Sequence, residues 1–433
     1  MSDFAAMWQA SGLKEKLIFT GVALAVFRLG AQIPIWGVNS AALRHMASNQ
    51  LLGFLDMFSG GALGHLSVLA LGIGPYITAS IIIQLLTVVI PRLEELQKDE
   101  GEAGRRKISQ YTRYLTVVLA IVQGTLVVRL FSSAPGIVNP DVPLAIFYPA
   151  AVLSLVAGSM FALWLAEMIT ERGVGNGGSL LILVGILSRI PFYVTQTATL
   201  VGTDPARSFN LVALMAIYLV TIGLIIVLQE AVRKIFIVSA KRQVGNRIYG
   251  GQNTYIPFKI NPSGVMPIIF TFAVMTFPAT LIQLLQQSQP TGWIKDFIFY
   301  YQRFLGPSTL GYIAIEFLLI IFFSFFYTSI IPSMQPREIA EQLKKHGSSI
   351  PGIKPGKPTS DKLEEVLSRT TLIGAVALAI ITLIATFSTH VTNITTLQGL
   401  GTTSLIIMVG VALDTMNQIR VHMLARQYEG FLK

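Results

Sequence analysis

Few side chains in this sequence could do chemistry, and their spacing argues against most of it. Gly173-x-Gly175-x-x-Gly178 is a literal GxGxxG, the pattern that lets a backbone approach a pyrophosphate. That use needs a strand before the glycines and an acidic residue about twenty positions after them. Here an apolar, helix-like stretch ending at 164–170 precedes the motif, and Arg189 and Pro191 follow it. The glycines are therefore read as a tight turn between two helices. No HExxH, GxSxG or Walker sequence occurs, and His45, His65, His346, His390 and His422 are scattered without ligand spacing. The chain has no cysteine, which removes disulfides, thiolate metal sites and iron–sulfur clusters. What remains is a set of charges inside apolar runs: Arg28, Arg129, Arg189, Glu316 and Asp414. An ionisable residue within a membrane span is a functional candidate by default. Most of these lie near the ends of their runs and form no relay, so snorkelling or single interhelical pairs are the expectation. No enzyme activity, metal or cofactor is expected.

The elements that would position these residues are membrane spans. Of 433 residues 52% are hydrophobic and only 12% charged, against about 25% charged in a soluble domain. Apolar runs predict ten spans, at about 17–36, 74–90, 112–131, 147–166, 179–201, 209–229, 264–287, 312–334, 370–390 and 401–419. The apolar part after Lys14 and Lys16 is too long for a signal-peptide core, and no small-x-small cleavage site follows it, so it is read as a retained first span.

The net charge of +10 is concentrated in the loops after spans 2, 6 and 8. The opposite loops hold only Arg44, Arg207, Lys295 and Arg303. The positive-inside rule then places the even-numbered loops and both termini in the cytosol. Two of the basic loops, 230–263 and 335–369, are long, and long loops are commonly functional. Residues 247–258 (RIYGGQNTYIPF) predict a hairpin around Gly250–Gly251. Residues 348–360 (SSIPGIKPGKPTS) predict an exposed, stiff tip with two lysines and no acid. Length and turn chemistry point both loops toward an acidic or nucleic-acid-bearing partner.

The stretch 51–90 stands apart. Its first part, 51–66, is apolar but interrupted by Asp56, Ser59, Gly60, Gly61, Gly64 and His65, and would make a poor lipid-facing helix. Its second part, 74–90, has no charge. A short half-inserted helix followed by a true span is expected. Broken elements at membrane depth are tolerated where they are buried in protein or line a cavity, so the stretch points to a pathway through the molecule. Gly72, Pro75, Thr78 and Ser80 permit close packing at span 2, and Pro267 and Pro278 are expected to kink span 7. The chain divides into two five-span halves, 1–205 and 206–433. An odd number of spans per half implies an inverted second half, with a pathway at the interface.

These residues carry a resemblance. Segments 57–63 (MFSGGAL), 75–89 (PYITASIIIQLLTVV), 100–114 (EGEAGRRKISQYTRY), 169–177 (ITERGVGNG), 240–243 (AKRQ), 323–327 (FSFFY), 351–356 (PGIKPG) and 401–404 (GTTS) together resemble the bacterial SecY family, the central channel subunits of the Sec protein-translocation complex. The resemblance spans essentially the whole chain. It implies an all-α, ten-span fold in two inverted halves around an hourglass pore. Carried over by position, the pore ring is Ile73, Ile77, Ile182, Ile269 and Ile407. Gly178 stands at a sixth position where the family usually has isoleucine. A short plug helix at about 51–66 includes Phe54, Met57, Phe58, Ser59, Gly60, Gly61 and Leu63. Spans 2 and 3 against 7 and 8 would form a lateral gate. Lys241, Arg242, Arg247, Lys354 and Lys357 would dock the ribosome or the SecA motor ATPase; Lys354 replaces a usual arginine. Implied partners are SecE and SecG, signal sequences, unfolded preproteins and the lipid bilayer. The implied location is the bacterial plasma (inner) membrane. The residues alone leave one alternative, a small-molecule secondary transporter, which would need polar ligands at the midplane where a protein channel needs an apolar waist.

Overall fold

The computed structural model describes residues 12–39, 59–98, 101–132, 136–204, 207–239, 242–244, 247–249, 253–287, 291–306, 309–330, 335–392, 394 and 402–431. Ten helices fall on the ten expected spans: α1 (Leu13–Gly30), α2 (Gly74–Val89), α4 (Gly101–Ser132), α5 (Leu144–Arg172), α6 (Gly177–Thr203), α7 (Arg207–Glu230), α8 (Met266–Gln287), α10 (Leu310–Ile330), α12 (Lys357–Thr392) and α13 (Thr402–Phe431). Shorter helices α3 (Pro91–Lys98), α9 (Trp293–Leu305) and α11 (Pro336–Lys345) flank them. Seven of the helices, α4 to α7, α10, α12 and α13, are long and apolar enough to cross a membrane by length and composition. The chain is a multi-pass membrane protein. Leu153, Leu219, Leu310 and Leu318 are among many large apolar side chains left exposed on the outer helix faces, where lipid would meet them.

Within residues 1–203, α5 packs against α1, α4 and α6, and α2 packs on α4. Arg113 on α4 forms a two-pronged ion pair with Glu167 on α5, both bonds 2.9 Å. Within residues 207–431, α7 and α10 pack on α12, α8 packs on α10, and α13 touches α7, α8 and α12. The two sets meet along two seams, α6 against α13 and α2 with α4 against α8.

Several expectations are corrected. The first helix ends at Gly30 rather than running to 36. Pro34 cannot continue a helix, and 31–39 instead forms bridges, Pro34 to Ser67 and Val38 to Val138. Residues 59–73 are successive turns, not a helix, consistent with the glycines in that stretch. Phe54, Met57 and Phe58 lie outside the described residues. Pro267 sits in the first turn of α8, where its missing N–H costs nothing, and only Pro278 is interior.

The expected hairpin at 247–258 does not form. β1 (Val232–Ser239) pairs antiparallel with β4 (Asn253–Lys259), and β2 (Arg242–Val244) with β3 (Arg247–Tyr249). The longer β1–β4 ladder runs from Val232 opposite Lys259 to Val238 opposite Asn253, and it buries an apolar face that the short pairing could not. β5 (Ser348–Ser349) adds to the other edge of β1. The expected tip at 348–360 is therefore part strand, part turn and, from Lys357, part helix.

Candidate functional site

The largest hydrophobic cluster among the described residues joins aliphatic and aromatic side chains from both halves. Ile73 caps the N-terminus of α2. Ile182 comes from the second turn of α6, Ile269 from the start of α8 and Ile407 from α13. All four are buried in one cluster that draws on both halves, and Ile77 packs against it. Ile407 is wholly buried, with 0% exposure. Gly178, on the first turn of α6, is close to Ile73: a Cβ at Gly178 would lie 3.4 Å from the Ile73 Cδ1. The five expected isoleucines thus share one large hydrophobic cluster, and Gly178 lies beside one of them, Ile73.

Further along α6, past Ile182, the same helix seats residues 59–63. The Gly60 carbonyl accepts from the Arg28 guanidinium of α1 at 2.7 Å and lies 3.2 Å from the Ser188 hydroxyl of α6. Gly60 has φ +67, and a Cβ there would come within 2.8 Å of the Gly185 Cα, so only glycine fits. The Ser59 hydroxyl accepts from the Leu63 N–H at 3.0 Å. Gly61 lies beside the Arg189 side chain, whose guanidinium sits 5.1 Å from the Phe192 ring centroid. Leu63 is buried in a second cluster with Leu66, Val128, Phe131, Phe147 and Leu155. Two of the isolated arginines therefore converge on one glycine pair. This grouping was not legible in the sequence, because 28, 60 and 189 are far apart along the chain.

At the N-terminal end of α6, the GxGxxG is a turn as expected, with Gly177 and Gly178 already helical. The Asn176 side chain caps α6, accepting from the Ser179 N–H at 3.1 Å. The Val174 N–H donates to the Thr20 hydroxyl at 3.0 Å, and the Gly175 N–H to the Gln418 side-chain oxygen at 3.0 Å.

The two long loops form a single body. Ile235, Ile237, Ile256 and Phe258 of the sheet pack with Ile339 and Ala340 of α11, Ile350 and Ile353 of the following turn, and Leu363 and Leu367 of α12. α12 has 36 residues, about 54 Å at 1.5 Å per residue, so one helix serves both the bundle and this body. The other sheet face is exposed, with Phe236 and Tyr255 opposite one another. The Lys234 ammonium lies 4.8 Å from the Tyr255 ring centroid. Lys354 and Lys357 are exposed at the turn into α12, and the Lys354 carbonyl accepts from the Thr359 hydroxyl at 2.8 Å. Arg242 and Arg247 lie on β2 and β3, and Lys241 lies outside the described residues. On α12 a hydrogen bond from Lys362, reinforced by the Arg369 charge, holds the Glu365 carboxyl below the usual carboxylate range.

Comparison with known proteins follows the same lines. A family model described as SecY matches residues 67–416. The chain is 44% identical over 436 residues to a protein translocase subunit SecY of Synechocystis, covering 99% of this chain and 96% of that one. It is 41% identical over 450 residues to a protein of the same description from Streptomyces galbus, covering both chains fully. Among solved structures, one described as a protein conducting channel superposes with a TM-score of 0.65 at 17% identity, covering 94% of this chain and 92% of that one. Sec61 in the canine ribosome–channel complex superposes with a TM-score of 0.61 at 16% identity, over 94% of this chain and 92% of that one. The fold is theirs, and with relatives of this identity along its whole length the chain belongs to the SecY family.

Proposed function

We propose that this chain is the channel subunit of a bacterial protein translocase, passing unfolded polypeptides across the membrane and releasing apolar segments sideways into lipid. The observation that carries the reading is that Ile73, Ile182, Ile269 and Ile407, from four helices of two halves, are buried in one hydrophobic cluster. An unfolded chain cannot cross hydrocarbon, because each unpaired backbone group costs several kcal/mol. A water-filled funnel on either side of an apolar waist removes that cost, and the waist resists ions by staying dry when idle. Isoleucine offers no hydrogen bond, so it grips no particular sequence. A small-molecule transporter would need polar ligands there, and these residues supply none.

In this reading the five isoleucines form the pore ring with Gly178 at its thin place. Residues 51–66 form the plug, and α2 and α4 part from α8 and α10 as the lateral gate. A Leu-rich segment gains roughly 0.3–0.6 kcal/mol per residue on leaving through such a gate. The halves are 1–205 and 206–433, inverted relative to one another. SecE and SecG accompany the chain in the inner membrane, with both termini cytosolic, and the SecA ATPase or the ribosome supplies the energy. The body made by 230–263 and 335–369 is the docking platform, with Lys241, Arg242, Arg247, Lys354 and Lys357 as its charges. The chain itself does no bond chemistry.

The test is the resting conductance of Ile407→Asn beside Ile407→Leu in planar bilayers. A poorly paired amide in the waist weakens closure by on the order of 1–3 kcal/mol, and about 1.4 kcal/mol shifts a gating equilibrium tenfold. The Asn variant should leak ions and accept substrates with defective signal sequences. Silence from both variants at normal protein levels would remove Ile407 from the waist and the pore assignment with it.

A further inference from the structure

At the GxGxxG turn three backbone N–H groups are tied to side chains on other elements, and a fourth, at Ser179, is capped within the turn. Val174 donates to Thr20 on α1, Gly175 to Gln418 on α13, Gly177 to Thr170 on α5 and Ser179 to Asn176 of the turn itself. Of these, only the Gly175–Gln418 bond crosses between the halves. Gly175 has φ +90, and a Cβ there would lie 3.2 Å from the Thr415 hydroxyl, so α13 passes directly over the turn. Asn417, the neighbour of Gln418, points the other way and donates to Glu230 at the end of α7, 3.0 Å away. The cytosolic end of α13 is thus bracketed from both sides, by Asn417 to its own half and by Gln418 to the other.

The register connects this bracket to the waist. Gln418 follows Ile407 by eleven residues, which at 100° per residue returns to within about 20° of the same face. Between them on that face lie buried Val411 and the turn-facing Thr415. On the partner helix, Gly178 and Ile182 follow Gly175 by three and seven residues. We infer that Gln418 is a positioning residue for the closed waist. It holds α13 against the start of α6 and so keeps Ile407 seated against Ile182 and Ile73. The inference rests on the channel reading of the previous subsection.

The substitution that isolates the bond is Gln418→Leu, which keeps shape and removes the acceptor; Gln418→Glu keeps an oxygen acceptor at the same place. The full chain is purified with its small membrane subunits and placed in lipid. Spin labels at the exposed Arg172 of α5 and Arg420 of α13 report the separation across the seam by electron–electron resonance, and planar bilayers report resting conductance. Gln418→Leu should broaden or lengthen the distance distribution and raise the resting open fraction roughly two- to tenfold, as expected for one lost hydrogen bond. Gln418→Glu should match the parent in both. An unmoved distance, a moved distance without leak, or an equal leak from Gln418→Glu would each overturn the proposal. Ile407→Asn run alongside separates the two readings. If it too is silent while the distance shifts, the channel reading fails and so does the link from bracket to waist.

Discussion

The two seams that join the halves are built on different terms. Where α6 meets α13 the halves share a directed bond, Gly175 to Gln418 at 3.0 Å, and α6 is also held near its middle, where Ser188 and Arg28 of α1 reach the Gly60 carbonyl. α6 is a post fixed at its start and at mid-length. Along α2, α4 and α8 the halves meet through packing, and the polar atoms there are poorly served. Thr271 on α8 has a buried hydroxyl, and Gln84 on α2 a buried amide oxygen, each without a hydrogen-bond partner among the described residues. A directed bond resists sliding and separation together. Dispersion contacts are weak singly and vanish with small displacements. The first seam is suited to stay and the second to part, which is the division of labour a laterally gated channel needs.

The largest effect is expected from spoiling the post. A Cβ at Gly177 would run into the Ala166 carbonyl oxygen of α5, a backbone atom that cannot swing aside. Gly177→Ala should cost about 3 kcal/mol, the upper range for overpacking, and lower the thermal unfolding midpoint in detergent by several degrees. An unchanged midpoint would mean that the α5–α6 contact is looser than its geometry indicates.

The Arg28 anchor comes next. Arg28→Met removes a charged donor from the Gly60 carbonyl, worth roughly 1.5–3 kcal/mol, and leaves only the Ser188 hydroxyl. Residues 59–63 should then leave their seat more often. With no native cysteine in the chain, a thiol at buried Ser59 is a clean reporter. Ser59→Cys should label from outside roughly tenfold faster in the Arg28→Met background, on the conversion of about 1.4 kcal/mol per decade. Equal labelling rates would show that Arg28 does not hold the segment.

How much of this contrast could be read from the sequence depends on the reach of each interaction. The ten helices were legible because hydrophobic runs are local, and the ends were misjudged where Pro34 and the glycines at 60 and 61 broke local rules. Ring isoleucines are indistinguishable from lipid-facing ones by type; only resemblance singled them out. The Gly60 seat and the Gln418 bracket were invisible. Their partners lie 32, 128 and 243 residues apart, and neither Arg28 nor Gln418 carries a motif. The same non-locality hid the joint core of the two long basic loops, where Phe258 and Leu363 share one buried cluster. The GxGxxG was seen, and its reading as a turn between helices matches the structure, but nothing near it announced that the Gly175 N–H serves the opposite half.

On the gate side the expected effect is smaller and of opposite sign. Thr271→Val replaces an unpartnered buried hydroxyl by a methyl group of the same shape, which relieves up to about 1 kcal/mol. The closed seam should gain stability, and substrates with weakly apolar signal segments should be taken up more slowly. Faster uptake, or a leak, would mean that the hydroxyl finds a partner in the closed channel and that the two seams are less different than proposed.

The smallest effect on the fold is expected outside both seams. Lys354 and Lys357 are exposed and the core beneath them is aliphatic, so reversing both to Glu should leave the unfolding midpoint within a degree or two, since exposed charges contribute only about 0–1 kcal/mol. Partner binding should respond instead. If these lysines meet an acidic or RNA surface, the double reversal weakens motor or ribosome binding most at low salt, and the difference from the parent shrinks as ionic strength approaches about 1 M, where the Debye length falls to about 3 Å. Titrating binding against salt therefore separates a docking charge from a topological one. An affinity unchanged at low ionic strength would assign Lys354 and Lys357 to setting the loop's side of the membrane and nothing more, leaving the exposed Phe236 and Tyr255 face as the part of the body still without a role.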